Sequence, residues 1–171
     1  MPTTYKLISK VTVGSGGAAT MAFSSIPSTY TDLVLLVSAR TDEAGANWSQ
    51  SNITFNGSAT GYTNRYLLGT GSAVVTDSVG TTFVYGGRGT GAGATASTFA
   101  NSFVYIPNYA GSNNKSVSTD EVTENNATAA LAFLSAGLWS NSAAINSITI
   151  TASGCNFVQY STARLYGIKS S

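Results

Sequence analysis

Hydrophobic and polar positions alternate with a period of two along most of the chain. Tyr5, Leu7, Ser9, Val11 and Val13 alternate with Lys6, Ile8, Lys10 and Thr12, the pattern of a strand with one mostly apolar face. A glycine-rich turn at 14–17 follows, and Ala19, Met21 and Phe23 resume the alternation, which predicts a first hairpin. The run 33–37, Leu-Val-Leu-Leu-Val, is apolar on both faces and suits a central strand. A short strand at 53–55 stops at Asn56-Gly57, a strong two-residue turn signal. Residues 81–85 read as a strand and 157–160 as a short one. Ile148, Ile150 and Ala152 alternate with Thr149 and Thr151, and 163–168 reads as the last strand.

The middle of the chain carries the clearest hairpin. An aromatic and β-branched strand at 99–106 ends at Pro107, a turn of Asn, Gly and Ser spans 107–114, and a polar strand returns over 115–124. The polarity of that second strand places it near a sheet edge. Asn125-Asn126 follows it. The segment 128–139 has Leu131, Leu134 and Leu138 on one face if helical, and Leu131, Phe133 and Trp139 on one face if extended. The all-β context favours the strand. Tyr62, Arg65 and Tyr66 share a helical face, so 61–68 reads as a short helix or an irregular crossing segment. Residues 41–50 read as a polar loop carrying an isolated Trp48, 69–80 as a loop, and 86–93 as a mobile glycine loop or an arm that orders against a neighbour. Phe23, Phe55, Phe99, Phe103, Phe133 and Ile150 sit at strand spacing and are expected in the core. Together these elements predict an all-β fold, a two-sheet antiparallel β-sandwich of jelly-roll-like type with about nine or ten short strands. Residues 1–171 are read as one domain.

Composition narrows the function. Charged residues are 9% and hydrophobic residues 43% of the chain, against roughly 25% charged in an ordinary soluble domain. Ser, Thr, Asn and Gly make up the difference, a surface typical of β-rich proteins whose subunits pack side by side outside a cell or on a particle. The net charge is +1, and no basic run supplies the electrostatic footprint of a nucleic-acid binder. No polybasic amphipathic helix suggests a membrane surface. The start of the chain lacks a charged segment leading into an apolar one, so no signal peptide is expected and synthesis in a cytoplasm is. Cys155 is the single cysteine, so no intrachain disulfide forms.

The chain has no histidine. That removes Ser-His-Asp and Cys-His catalysis, histidine-ligated zinc, and a base to activate Cys155, which reads as a small loop or half-buried residue. Carboxylates remain, at Asp42-Glu43 and at Asp120, Glu121 and Glu124. A solvated face guarding an edge strand accounts for the second group better than a catalytic pair does. No Asp-rich loop supports Ca²⁺ binding, and the 86–93 glycines lack both phosphate-cradling spacings. No catalytic, cofactor-binding or metal residues are therefore assigned, and no cofactor is expected. Trp48, Tyr62, Arg65 and Tyr109, in polar or turn-like stretches, are candidates for subunit contact or for stacking on a sugar ring, with buried loop anchors as the alternative.

Several separated stretches carry a family resemblance. They are 5–14 (Tyr-Lys-Leu-Ile-Ser-Lys-Val-Thr-Val-Gly), 26–33, Phe55-Asn-Gly57, Tyr66-Leu-Leu-Gly69, 105–115 (Tyr-Ile-Pro-Asn-Tyr-Ala-Gly-Ser-Asn-Asn-Lys) and 157–168. Together they resemble small virion structural proteins, of head-decoration and fibre type, of tailed bacteriophages, especially marine and cyanobacterial ones. The resemblance implies a non-enzymatic particle component exposed on the virion surface. Its first form is a capsid decoration (cement) protein that stabilises the head by bridging capsid subunits. The alternative is a receptor- or glycan-binding module of a tail fibre or knob. The implied partners are the major capsid protein or other virion proteins, with a homo-oligomer, a trimer first, and a glycan as a further ligand of the fibre form. No catalytic residues come with the resemblance.

Overall fold

The structure, a computed structural model, describes residues 4–124 and 130–169. The first two residues of the 128–139 segment lie outside the described residues. There is no helix among the described residues, and the strands number twelve. They are β1 (Tyr5–Thr12), β2 (Thr20–Phe23), β3 (Asp32–Ala39), β4 (Trp48–Phe55), β5 (Tyr62–Gly69), β6 (Val74–Thr81), β7 (Val84–Thr90), β8 (Ala100–Ile106), β9 (Lys115–Thr123), β10 (Leu131–Trp139), β11 (Ile148–Ala152) and β12 (Thr162–Ile168).

Eight strands form one sheet in the order β1-β12-β3-β8-β9-β10-β5-β6, and four form a second in the order β2-β11-β4-β7. All pairings between these strands are antiparallel. The half-sheet β1-β12-β3-β8 and the sheet β2-β11-β4-β7 together have the nested pairing of a jelly roll, in which the chain crosses between sheets at each of its first four strands and retraces the path on its return. Two insertions modify this plan. The pair β5-β6 between β4 and β7, and the pair β9-β10 between β8 and β11, meet each other and extend the large sheet to eight strands.

The apolar run of β3 lies centrally between β12 and β8, with Leu33, Leu35 and Val37 buried in the core, while Leu36 on the opposite face is exposed. Leu33, Leu35, Val104, Ile106 and Leu165 from the large sheet pack on Met21, Ile53, Phe55, Ile148 and Ile150 from the small one. Trp139, Tyr62 and Phe55 form an aromatic group at one end, with Tyr62 and Trp139 stacked at 6.0 Å. A smaller cluster of Leu68, Leu131 and Phe133, joined by Tyr66 and Tyr85, lies beneath the insertion.

The count of twelve exceeds the nine or ten expected because two segments hide a strand, and a third hides most of the length of one expected at 81–85. Residues 61–68 are the strand β5, not a helix, and most of 69–80 is its partner β6. The glycine run is not a mobile surface loop: through Thr90 it forms β7, buried along most of its length. A Cβ at Gly86 would lie 2.8 Å from Ile53 Cγ1, and one at Gly87 would overlap the Ser102 side chain. The missing side chains thus leave room for Ile53 of neighbouring β4 at Gly86 and let the backbone pass close beneath the large sheet at Gly87. Trp48, Ser49 and Gln50 belong to β4, not to a loop.

Other expectations fail for local reasons. β1 and β2 do not form a hairpin. They belong to different sheets, and the turn at 14–17 carries the chain across. A bulge between Leu7 and Ser9 shifts the phase of β1, so Ile8 and Val11 face the core while Tyr5 and Leu7 are exposed. The polar strand β9 is central, between β8 and β10, not at an edge. Its outward Asp120 is exposed, but Glu121 points inward and is buried, so this cluster is not a solvated edge. Phe103 faces outward and is 43% exposed, Phe99 is only half-buried, and 157–160 contributes a single bridging residue, Phe157.

Candidate functional site

The end of the sandwich around Trp48 is built by backbone pairing between two loops. The amides of Gly91, Ala92 and Gly93 donate to the carbonyls of Asn47 (3.0 Å), Glu43 (3.1 Å) and Ala46 (2.8 Å). A side chain at Gly91 would overlap the Ala46 carbonyl, which explains the glycine there. Arg40 holds the following loop, donating from Nη1 to the Thr95 carbonyl (2.8 Å) and from Nη2 to that of Ala94 (3.2 Å). Opposite, the Asp42 carboxylate accepts the Asn156 backbone N–H (2.7 Å) and its side-chain amide (3.0 Å), which hold its pKa below the usual carboxylate range.

Trp48 opens β4 and remains 37% exposed. The Arg88 guanidinium lies over its ring, 4.1 Å from the centroid, and 5.2 Å from that of Phe133. Beside Trp48 runs a shallow groove of about 390 Å³, lined by Glu43, Asn47, Gln50 and Ser153 among others. An aromatic platform ringed by a carboxylate, amides and a hydroxyl suits the apolar face and hydroxyl edge of a sugar ring.

Behind Trp48 the interior is unusually polar. Arg88 is 7% and Glu121 1% exposed. The Glu121 carboxylate accepts a hydrogen bond from the Thr123 hydroxyl, while its Oε2 and the Arg88 Nε have no hydrogen-bond partner among the described residues. Burial lowers the Arg88 pKa and pushes the Glu121 carboxyl up to about 8, with the Arg88 charge and the Thr123 bond opposing the latter shift. Glu121 is therefore largely protonated at neutral pH. The sequence hides this pair because the β9 alternation reads as a solvated face. The signal present is Glu121 standing in phase with Val117 and Thr119, opposite Asp120.

The sequence candidates do not converge. Tyr62 is buried: its hydroxyl accepts the Phe55 N–H (2.9 Å) and donates to the Ser58 carbonyl (3.3 Å). Tyr109 is buried in the turn after β8, its hydroxyl donating to the Pro27 carbonyl and accepting the Tyr30 N–H (3.4 Å). Burial raises the pKa of both phenols. Arg65 lies outward on β5, bonded to the Ser78 hydroxyl across the β5–β6 pair. Both tyrosines are anchors, and among the candidate aromatics only Trp48 keeps an exposed ring.

A second surface has no counterpart among the sequence expectations. Register aligns one outward residue from each strand of the large sheet in a row: Lys10, Arg164, Leu36, Phe103, Asp120, Leu134, Leu67 and Thr76. Leu36, Phe103, Leu134 and Leu67 are exposed, as is Val122 in the next row. A shallow groove of about 330 Å³ runs along Leu36, Phe103 and Val122, with Asp120 and Arg164 on its walls. Comparison with known proteins finds no matching family model, curated protein or solved structure.

Proposed function

We propose that the chain is a non-enzymatic structural protein of a phage virion, a capsid decoration protein that stabilises the head by bridging capsid subunits. The observation that carries this reading is the exposed apolar row across the large sheet, in a chain with only 9% charged residues. Apolar surface of this kind marks a protein contact, and a unit assembled through it that binds only the finished shell stabilises that shell by mass action. The jelly-roll topology and the resemblance set out above support the same reading. The protein would be made in the host cytoplasm, would sit on the virion surface as a homo-oligomer, and would have the major capsid protein or other virion proteins as partners. Immunogold labelling of virions tests this: label over the head supports it, and label confined to the tail overturns it.

The Trp48 groove favours a second reading, a receptor- or glycan-binding module of a tail fibre or knob. Its test is a glycan array, with binding lost on Trp48→Ala as the supporting result.

A further inference from the structure

The outward face of the large sheet carries a charge pattern as well as an apolar one. Along the central row the order is Lys10, Arg164, Leu36, Phe103, Asp120, Leu134, one residue from each of six neighbouring strands. Arg164 and Asp120 lie three strands apart, roughly 14 Å, too far to pair within the chain. Both border the groove along Leu36 and Phe103.

We infer that a second copy of this chain covers this face, related by a two-fold axis that runs parallel to the strands between β3 and β8. That operation places Leu36 over the partner's Phe103 and Arg164 over the partner's Asp120, each contact occurring twice. In the adjacent row, Ser38 meets the partner's Asn101 and Thr162 meets the partner's Val122. The Lys10 stem lies over the partner's Leu134, with its ammonium reaching water.

The alternatives are worse on charge. A two-fold along the row would put Asp120 on its own copy. Moving the axis one strand toward β9 would set Asp120 over Phe103 and Arg164 over Leu67, so both would lose water without an ionic partner. Six overlapping strands cover about 24 Å by 23 Å. Each copy then buries on the order of 600 Å², near the lower bound for a specific interface, so affinity is expected in the micromolar range. This rests on the reading of the face as an assembly contact and makes the unit a two-fold pair where the resemblance implies a trimer. A pair joined back to back would present two identical outward surfaces, as a bridge between shell subunits requires.

Sedimentation equilibrium of the purified chain tests the pairing. The wild type should dimerise at tens of micromolar or below, more weakly as salt is raised. Asp120→Arg and Arg164→Asp should each weaken the dimer at least ~100-fold, and the double exchange should return it to within about threefold of wild type. Asp120→Asn, which keeps the shape, should weaken it in the same direction and serves should a reversal fail to fold. A monomeric wild type at 100-fold higher concentration than the expected range, or a dimer unmoved by either reversal, overturns the inference. Head labelling of virions reads the decoration role separately: label over the head with a monomeric chain in solution would sink the pairing and leave the role standing.

Discussion

The guanidinium of Arg88 lies 4.1 Å from the centroid of the Trp48 ring, so the most exposed aromatic edge of β4 lids the most buried cation of β7. A desolvated cation–π contact contributes about 2 kcal/mol, and here it substitutes for the hydrogen bond that the Arg88 Nε lacks. Trp48→Phe keeps an aromatic ring over Arg88 and should cost under ~1 kcal/mol. Trp48→Ala opens the guanidinium to water and should cost about 2 kcal/mol by urea denaturation. Equal losses for the two variants would show that the ring acts by bulk and not by its π face.

Glu121 makes stability depend on pH. Its folded pKa of about 8 stands above the ordinary 4.5, so between those values the native state binds more protons than the unfolded chain. The sign follows: this group's contribution is fully present below about pH 4.5, is lost as pH rises to about 8, and changes no further above that. The full loss amounts to as much as ~5 kcal/mol. Glu121→Gln keeps the shape and cannot ionise, so its stability should match wild type near the acid end and exceed it at pH 8. Parallel stability–pH curves for the two proteins would contradict the assignment.

The strands legible in the sequence are those whose alternation is carried by large side chains. β8, β11 and β12 show it through Val, Ile, Phe and Leu, β3 is marked instead by its continuous apolar run, and all four belong to the jelly-roll framework. β10 follows the alternation of Leu131, Phe133 and Trp139 despite its alanines. β7 is illegible because Gly86, Gly87 and Gly89 carry no side chain to alternate, and glycine is depleted from most strands. Its burial arises from the large sheet it lies under, β8 together with the insertion strands β9 and β10. Phe103 shows the opposite failure: strand spacing gives the period, but which face is inward is fixed by the partner sheet. Trp48 stands out in the sequence and is exposed in the fold, whereas Tyr62 and Tyr109 are turn-adjacent in sequence and buried in space. The Arg88–Glu121 pair joins residues more than thirty positions apart, and no local pattern announces it.

The close passage of β7 predicts a steep difference among glycines. Gly87 has φ of +99° and no room for a Cβ beside Ser102 and Glu121, so Gly87→Ala should cost ~3 kcal/mol or more through strain and displaced packing. Gly86→Ala should cost ~1–3 kcal/mol against Ile53. Gly14 has a negative φ and nothing within 4 Å of where an alanine methyl would stand, so it should accept alanine within ~0.5 kcal/mol. Thermal melting of the three variants ranks them, and a tolerated Gly87→Ala would mean that β7 does not lie under β8 and β9 as described.

Tyr109 separates anchoring from ligand binding. Its hydroxyl joins the turn after β8 to the segment before β3, through the Pro27 carbonyl and the Tyr30 N–H. Tyr109→Phe leaves the ring in place and strands both backbone groups, which should cost about 1–2 kcal/mol. Because the ring is fully buried, the same variant should leave glycan-array binding unchanged, whereas Trp48→Ala should abolish any signal. Because it is remote from the outward row, Tyr109→Phe should also keep the sedimentation behaviour of the wild type. A Tyr109→Phe protein of undiminished stability that lost a ligand would reverse the roles given to the two aromatics.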